Sequence, residues 1–441
     1  MKNTLTLFLF LIFFLFSTKA SLAIYDPITV SNNRVGIHIF SEKDLDDAAN
    51  LVNSGGGDWG YVTLVITEGE RDRDRWQQVF DRMRSLHLIP IIRIASKANG
   101  ATWEKPSEAE MDNWVGFLNS LNWVIQNRYI VVYNEPNHAA EWGGKVDPGG
   151  YATYLKFFSQ KLKSASPNFF VLPAGLDPGT GEDAFIKSMI KAEPDIFDFV
   201  DGWTSHPYPT TGIEQYSKEL YFLKTLGVTK NLPVFITETG WSNKNLDEKT
   251  IGKNLILAFG DSWNDPRVIA VTPFILDYNS EPFAQFSWRA PDGHFYSFYE
   301  DVKKMPKTLG NPIQIVSGQI LLALAQPVIV PNSDFLGVIW ARNTGQSVWN
   351  QNQVALKSES GGFVLRSYFF NDVEPLKDGL IIFKALAPGH VGLYGQSIYL
   401  TGQMGRRITG SFPIEAAVIQ IDKVRIQDFF NSVIQSIISY Q

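Results

Sequence analysis

The sequence predicts an α/β chain, a (β/α)8 barrel followed by an all-β sandwich, and two observations predict it. Between Arg34 and about Leu276, eight short apolar runs alternate with segments whose apolar positions recur at three and four. Beyond residue 316 the helical period disappears, and short alternating runs take over.

The strand candidates, in order, are RVGIHIF (34–40), WGYVTLVI (59–66), LIPIIRIAS (88–96), YIVVYNE (129–135), FFVLPAG (169–175), FVDGWTSH (199–206), PVFITET (233–239) and VIAVTPFIL (268–276). Helix candidates such as EKDLDDAANLV, RDRWQQVFDRMRSL, SEAEMDNWVGFLNSLNWVI and YATYLKFFSQKLKS lie between them. Parallel strands need such crossovers. Eight units in roughly 250 residues point to a closed TIM barrel, because an open doubly wound sheet more often stops at five to seven strands.

EDVKKMPKTLGNPIQIV (300–316) reads as the boundary, dividing a barrel over 24–305 from a sandwich over 312–441. VIWARNTGQSVWNQNQVALKS resembles immunoglobulin-like modules, which places Trp340 and Trp349 between two sheets and makes NTG a hairpin turn. At the end, Ile426, Phe429, Phe430, Val433, Ile437 and Tyr440 share one helical face, expected to dock on the protein itself because the opposite face is Gln and Ser.

With 441 residues, 44% of them apolar, the chain has ample material for packed cores. A formal charge of −6 made of interspersed charges gives no basic footprint for nucleic acid. MKNTLTLFLFLIFFLFSTKASLA reads as a signal peptide over 1–23 with cleavage near Ala23, so the protein is expected to be secreted or at the cell surface. Its apolar run is too short to span a bilayer, and no later stretch is long and apolar enough, so no stable membrane insertion is expected. With no cysteine, thiolate catalysis, disulfides and thiolate metal sites are excluded.

In such a barrel the chemistry sits at the C-terminal ends of the strands. Glu135 ends the fourth candidate and Glu238 the seventh. Glycosidic hydrolysis needs one carboxylic acid to protonate the leaving oxygen and a second carboxylate across the sugar carbon. Two strands three places apart in a ring of eight face each other across a narrow mouth, which fits the roughly 5 to 5.5 Å separation of retaining enzymes.

NEP after strand four and TETGW after strand seven resemble the signatures of clan A of the retaining glycoside hydrolases, a group of TIM-barrel enzymes. The resemblance covers about residues 34–290. It implies that Glu135 is the general acid/base and Glu238 the nucleophile. It further implies that Asn134 bonds the sugar hydroxyl beside the reacting carbon, and that His206 and Tyr208 line the site, Tyr208 touching Glu238. An acid/base must be protonated near neutrality, so Glu135 needs a raised pKa, which the charge of Glu238 would supply.

Further candidates carry two readings each. Arg93, in an apolar strand, either pairs with a carboxylate such as Glu238 or faces water at the rim. His38 touches a substrate hydroxyl or is an inward structural histidine, and His138 serves the site or holds its loop. Trp241, Trp288 and Trp142 are placed to stack on sugar faces, or belong to the core.

The expected partner is a carbohydrate substrate, with no metal and no cofactor. A metal-dependent hydrolase is disfavoured because the six histidines are scattered and form no HxH or HExxH motif. A carbohydrate-binding scaffold that lost activity is the other alternative, and retention of both glutamates argues against it. The motifs specify a reaction and leave sugar, linkage, endo or exo action and oligomeric state open.

Overall fold

The computed structural model describes residues 23–420. The signal peptide, apart from Ala23, and the stripe from Ile426 to Tyr440 lie outside the described residues.

Eight parallel strands alternate with eight helices: β1 (Gly36–His38), α1 (Leu45–Val52), β2 (Gly60–Thr67), α2 (Arg73–Ser85), β3 (Leu88–Ala95), α3 (Met111–Ser120), β4 (Arg128–Val132), α4 (Pro148–Ala165), β5 (Phe169–Pro173), α5 (Glu182–Ala192), β6 (Trp203–Ser205), α6 (Gln215–Thr225), β7 (Val234–Ile236), α7 (Glu248–Gly260), β8 (Val268–Val271) and α8 (Ser297–Lys304). Each candidate run coincides with one of these strands, Thr67 and Arg128 alone falling outside their runs. Runs such as Arg128–Val132 and Phe169–Pro173 are apolar without alternation because helices cover one face and the interior the other. α2 begins where the Asp72 carboxylate accepts from the N–H groups of Asp74 and Arg75, and it buries Trp76, Val79, Phe80 and Met83 on one stripe.

The strands form one parallel sheet in the order β1 to β5 and another in the order β6 to β8. Hydrogen bonds link the two at both edges. Between β8 and β1, Val271 N donates to Arg34 O at 2.9 Å and His38 N to Pro273 O at 3.0 Å. Between β5 and β6, Asp201 N donates to Val171 O at 2.8 Å, and the Asp201 carboxylate accepts from Val171 N at 2.7 Å.

Aromatic rings fill the space between the sheets. Tyr129 of β4 lies 5.1 Å from Phe170 of β5 and 5.0 Å from Phe235 of β7, centroid to centroid. The contact from Tyr129 to Phe235 sets β4 and β7 face to face, so the residues just past these two strands emerge on opposite walls of one mouth.

A second hydrophobic core lies between two four-stranded sheets formed by β9 (Gly318–Ala325), β10 (Val328–Ile329), β11 (Asp334–Asn343), β12 (Ala355–Ser358), β13 (Val364–Phe369), β14 (Asp378–Leu386), β15 (Gly392–Thr401) and β16 (Phe412–Val418). One sheet runs β9-β11-β14-β13 and is antiparallel; the other runs β10-β16-β15-β12, with a parallel pair at β10. Trp349 is fully buried here, as expected. Trp340 is not: it is 48% exposed on the outer face, and its Nε1 donates to Asp378 Oδ2 at 3.1 Å. The correction has its reason in strand alternation, since Phe335, Ile339 and Ala341 of β11 point inward and leave position 340 outside. NTG is likewise no hairpin. The chain passes there to the other sheet, and the buried Asn343 amide holds the crossing by donating to Ser347 O and Val373 O, each at 2.8 Å.

Residues 305–317, at the expected boundary, are stitched across the N-terminal ends of the strands. Lys307 N donates to Gly55 O, Gly310 N to Asp58 O and Asn311 N to Ser31 O at 2.8 to 3.0 Å, and Gln126 N donates to Ile313 O at 2.9 Å. Gln346, 5% exposed, accepts from Ile315 N at 2.9 Å and donates to Ile125 O at 2.7 Å, joining the second unit to the first.

Candidate active site

The chain leaving β4 turns sharply. Tyr133 and Glu135 take left-handed φ values of 69° and 34°, which non-glycine residues adopt only when their surroundings hold them there. Two backbone bonds do so, Glu135 N to Gly175 O at 3.0 Å and His138 N to Glu135 O at 2.7 Å. Tyr133 is braced by its hydroxyl contact with Tyr154 at 3.1 Å and by the Trp142 ring at 5.8 Å. Glu135 thereby enters the mouth at a strand end as a held group.

His206, directly after β6, is 1% exposed and spans two walls: Nδ1 contacts Glu135 Oε1 at 2.9 Å and Nε2 contacts Thr237 Oγ1 at 3.0 Å. A Cβ on Gly175 would fall 2.3 Å from Nε2, so only glycine leaves room for the imidazole. Across the mouth, Glu238 accepts from Arg93 Nη1, which also donates to Asn134 Oδ1 at 2.8 Å. Tyr208 OH lies 3.5 Å from Glu238 Oε2. One carboxylate oxygen of Glu135, one of Glu238 and a ring nitrogen of His206 all fall within 4.8 Å of one another.

The charges are balanced. Burial by itself would raise the Glu238 carboxyl, but His206 and Arg93 outweigh it and hold the group below its ordinary range. Burial would lower His206, and the charges of Glu238 and Glu135 with the Glu135 hydrogen bond push it up instead. Burial, then the neighbouring Arg93, drive His38 down to about 3, so it is neutral. Burial, followed by the charges of Glu238 and Glu135, puts the Tyr208 hydroxyl well above its usual value, which keeps it a donor. Glu135, His206 and Glu238 are near enough to ligate a divalent cation, yet Arg93 already compensates Glu238.

A cavity of about 640 Å³ opens over the pair, on the side of β5 to β8. Phe274, Phe286, Tyr208 and Trp241 give it apolar walls, and Asp177 and Gln285 supply polar groups. Mostly apolar walls with a few placed polar groups are what a small-ligand site presents. On the opposite side, around Arg93, Asn134 and Glu141, only about 20 Å³ is open.

Solved structures of glycoside hydrolases are similar to this chain. A GH39 β-xylosidase from Caulobacter crescentus aligns over 84% of this chain and 98% of its own, with a TM-score of 0.50 and 11% identity. A family 39 glycoside hydrolase from Bacteroides cellulosilyticus WH2 aligns over 83% of each chain (TM-score 0.47, 14% identity), and a GH128 endo-β-1,3-glucanase from Sorangium cellulosum over 62% of this chain and 98% of its own (0.43, 15%). The first likeness is one of fold. No protein-family model matches the chain, and no curated protein does.

Of the sequence-predicted residues, Glu135, Glu238, Asn134, His206, Tyr208 and Arg93 converge as one cluster, and Trp241 lines the cavity. Three placements are corrected. Trp142 is 1% exposed, its ring edge-on to Tyr151 at 5.3 Å, and it supports the Glu135 turn from beneath. Trp288 is 3% exposed and packs on Phe298 at 5.3 Å. His38, 1% exposed, lies against Phe274 at 5.1 Å and outside the cavity lining. His138 is exposed and enters the loop through its backbone bonds.

Sequence reasoning missed Phe274, which stands three residues beyond β8, where the sequence led to Trp288 as the platform. The rule that points to Glu135 and Glu238 also points to it, because PFI closes the eighth run. Glu141 was missed as well; it accepts from Asn134 Nδ2 at 3.4 Å, and burial raises its carboxyl against the opposing pull of Arg93.

Proposed function

We propose that this chain is an exported retaining glycoside hydrolase acting on a poly- or oligosaccharide. The observation that carries the reading is the pair Glu135 and Glu238, with carboxylate oxygens within 4.8 Å of each other at the mouth of one cavity. That fits the spacing of about 5 to 5.5 Å at which the second carboxylate attacks the sugar, and is shorter than the roughly 6.5 to 9.5 Å between the carboxyl groups of inverting enzymes. The two sheets, linked at both edges, belong in this reading to a closed TIM barrel over 24–305, with 312–441 an accessory immunoglobulin-like sandwich.

Glu238, kept ionised by His206 and Arg93, attacks the anomeric carbon while Glu135 protonates the departing oxygen. Tyr208, a donor beside Glu238 Oε2, steadies the carboxylate until it bonds carbon. Glu135, then a base, takes a proton from water, which attacks the same carbon, releases Glu238 and returns the sugar with its configuration kept. His206 holds Glu135 in place through both steps. Asn134, fixed by Arg93, is assigned in this reading to the sugar hydroxyl next to the reacting carbon. Phe274 and Trp241 offer rings for the C–H faces of sugars. Cleavage near Ala23 is part of the proposal; a cut directly after Ala23 gives up the 2.7 Å bond that Ala23 O accepts from Gln126 Nε2.

The test is a panel of polysaccharides and aryl glycosides offered to protein lacking residues 1 to 22 and to its Glu238→Gln variant. Release of a sugar of unchanged anomeric configuration by the parent, lost in the variant, supports the reading. Release of the inverted sugar would overturn the mechanism, and sugar binding in both proteins without release would favour a scaffold.

A further inference from the structure

The outer face of the β9-β11-β14-β13 sheet is apolar where a solvent face alternates to polar. Leu322, Leu324, Leu336, Trp340, Leu380 and Ile382 are 42 to 54% exposed. Register makes them neighbours: Leu322, Trp340 and Leu380 lie side by side across three strands, and Val338 joins Leu324 to Ile382 in the next row. The patch amounts to roughly 500 Å², at the upper end of what a monomer shows to water. Ion pairs border it at both ends, Arg342 with Asp378 at 2.6 Å and Lys384 with Asp334 at 2.7 Å. An apolar centre with a charged rim is the anatomy of an interface.

The described chain stops at its edge. Ile419 N donates to Ile329 O at 2.9 Å and Ala417 N to Pro327 O at 2.8 Å, which sets the end of β16 beside the connection leaving β9. That connection touches the patch, since Gln326 N donates to Leu336 O at 3.2 Å. Val328, Val330 and Ile419, 37 to 48% exposed, continue the apolar track from the chain end. Twenty-one residues lie beyond Gln420, and in 424–441 the sequence puts Ile426, Phe429, Phe430, Val433, Ile437 and Tyr440 on one helical face. Eighteen helical residues measure about 27 Å, and strands of eight to ten residues about 27 to 34 Å. Residues 421–423, extended, reach about 10 Å.

We propose that residues 421–441 are the occupant of this face, the apolar side chains of their sequence stripe meeting its leucines and Trp340. Length, polarity and the point of departure all agree with this occupant.

The chain has no cysteine, so one introduced thiol reports on the face alone. Leu380→Cys marks the patch, and Met404→Cys, at a fully exposed site, is the reference. Thiol labelling is measured in the full chain, in a chain ending at 420, and in a full chain carrying Phe429→Glu and Val433→Glu, which breaks the stripe without removing it. The expected result is labelling at position 380 at least tenfold slower than at 404 in the full chain, with the gap closing in both altered chains at low protein concentration. Equal rates at 380 in all three chains would overturn the proposal. So would protection that persists in the chain ending at 420 and grows with protein concentration, which makes a second copy the cover, or protection that appears only on adding phosphatidylcholine vesicles, which makes lipid the cover.

Discussion

Arg93→Met removes the cation that contacts both Glu238 and Asn134 and leaves the volume nearly unchanged. Both side chains are 14% exposed or less, so solvent screens the pair weakly. Two unit charges about 4 Å apart interact by about 4 kcal/mol at an effective dielectric constant of about 20, a ceiling on what losing this cation can cost the ionised carboxyl. His206 stays and still opposes burial, so the Glu238 pKa is expected to rise without losing all of its compensation. The acid limb of kcat/KM, measured on the aryl glycoside the panel identifies, moves to higher pH. Stability carries the same signature. In the parent, Glu238 has a folded pKa below its unfolded value, so it stabilises the fold above the unfolded pKa, and that contribution is lost as pH falls through the folded one. In the variant a buried carboxylate stands with less compensation, so the fold loses about 3 to 5 kcal/mol near neutral pH and less at a pH where Glu238 is protonated. Arg93→Lys should recover part of both effects. An unmoved acid limb in a folded Arg93→Met protein would refute the assignment of Glu238 as the ionised nucleophile held by this cation.

Gly175→Ala should displace His206, because the new methyl has 2.3 Å to Nε2; kcat/KM falls by about a hundredfold, the scale of a 1 Å misplacement, with a lowered melting temperature. Phe274→Ala should raise KM by up to about tenfold, the worth of one aromatic contact, with kcat less affected. Incubation with EDTA should leave kcat/KM unchanged; a loss restored by a divalent cation would turn the cluster of Glu135, His206 and Glu238 into a metal site. Gln346→Ala should cost about 1 to 3 kcal/mol in thermal unfolding, since it leaves the Ile125 carbonyl and the Ile315 N–H without partners.

The alternation of strands and helices is legible because each strand is apolar on both faces and each helix on one stripe, and these periods survive without any knowledge of contacts. The places of Glu135 and Glu238 are legible for the same reason: a strand that ends in a carboxylate presents it at the rim. Tryptophan roles are less so. Trp142 and Trp288 come after strands as Trp241 does, yet they are covered by Tyr151 and Phe298, which arrive from elsewhere in the chain. The outward place of Trp340 is legible from parity along β11, which sets it opposite Ile339 and Ala341. Gly175 has no signal: its need appears only when the His206 ring occupies the space above it.

The stitched segment sets where the molecule can be cut. Severing the chain at residue 305 would strip the carbonyls of Gly55, Asp58 and Ser31 and the Gln126 N–H of their partners at one stroke. A graft of the first unit therefore has to carry residues 306–317 with it, together with a replacement for the Gln346 amide that grips Ile125 from the neighbouring unit. The border between the two units, in engineering terms, is a clasp and not a hinge.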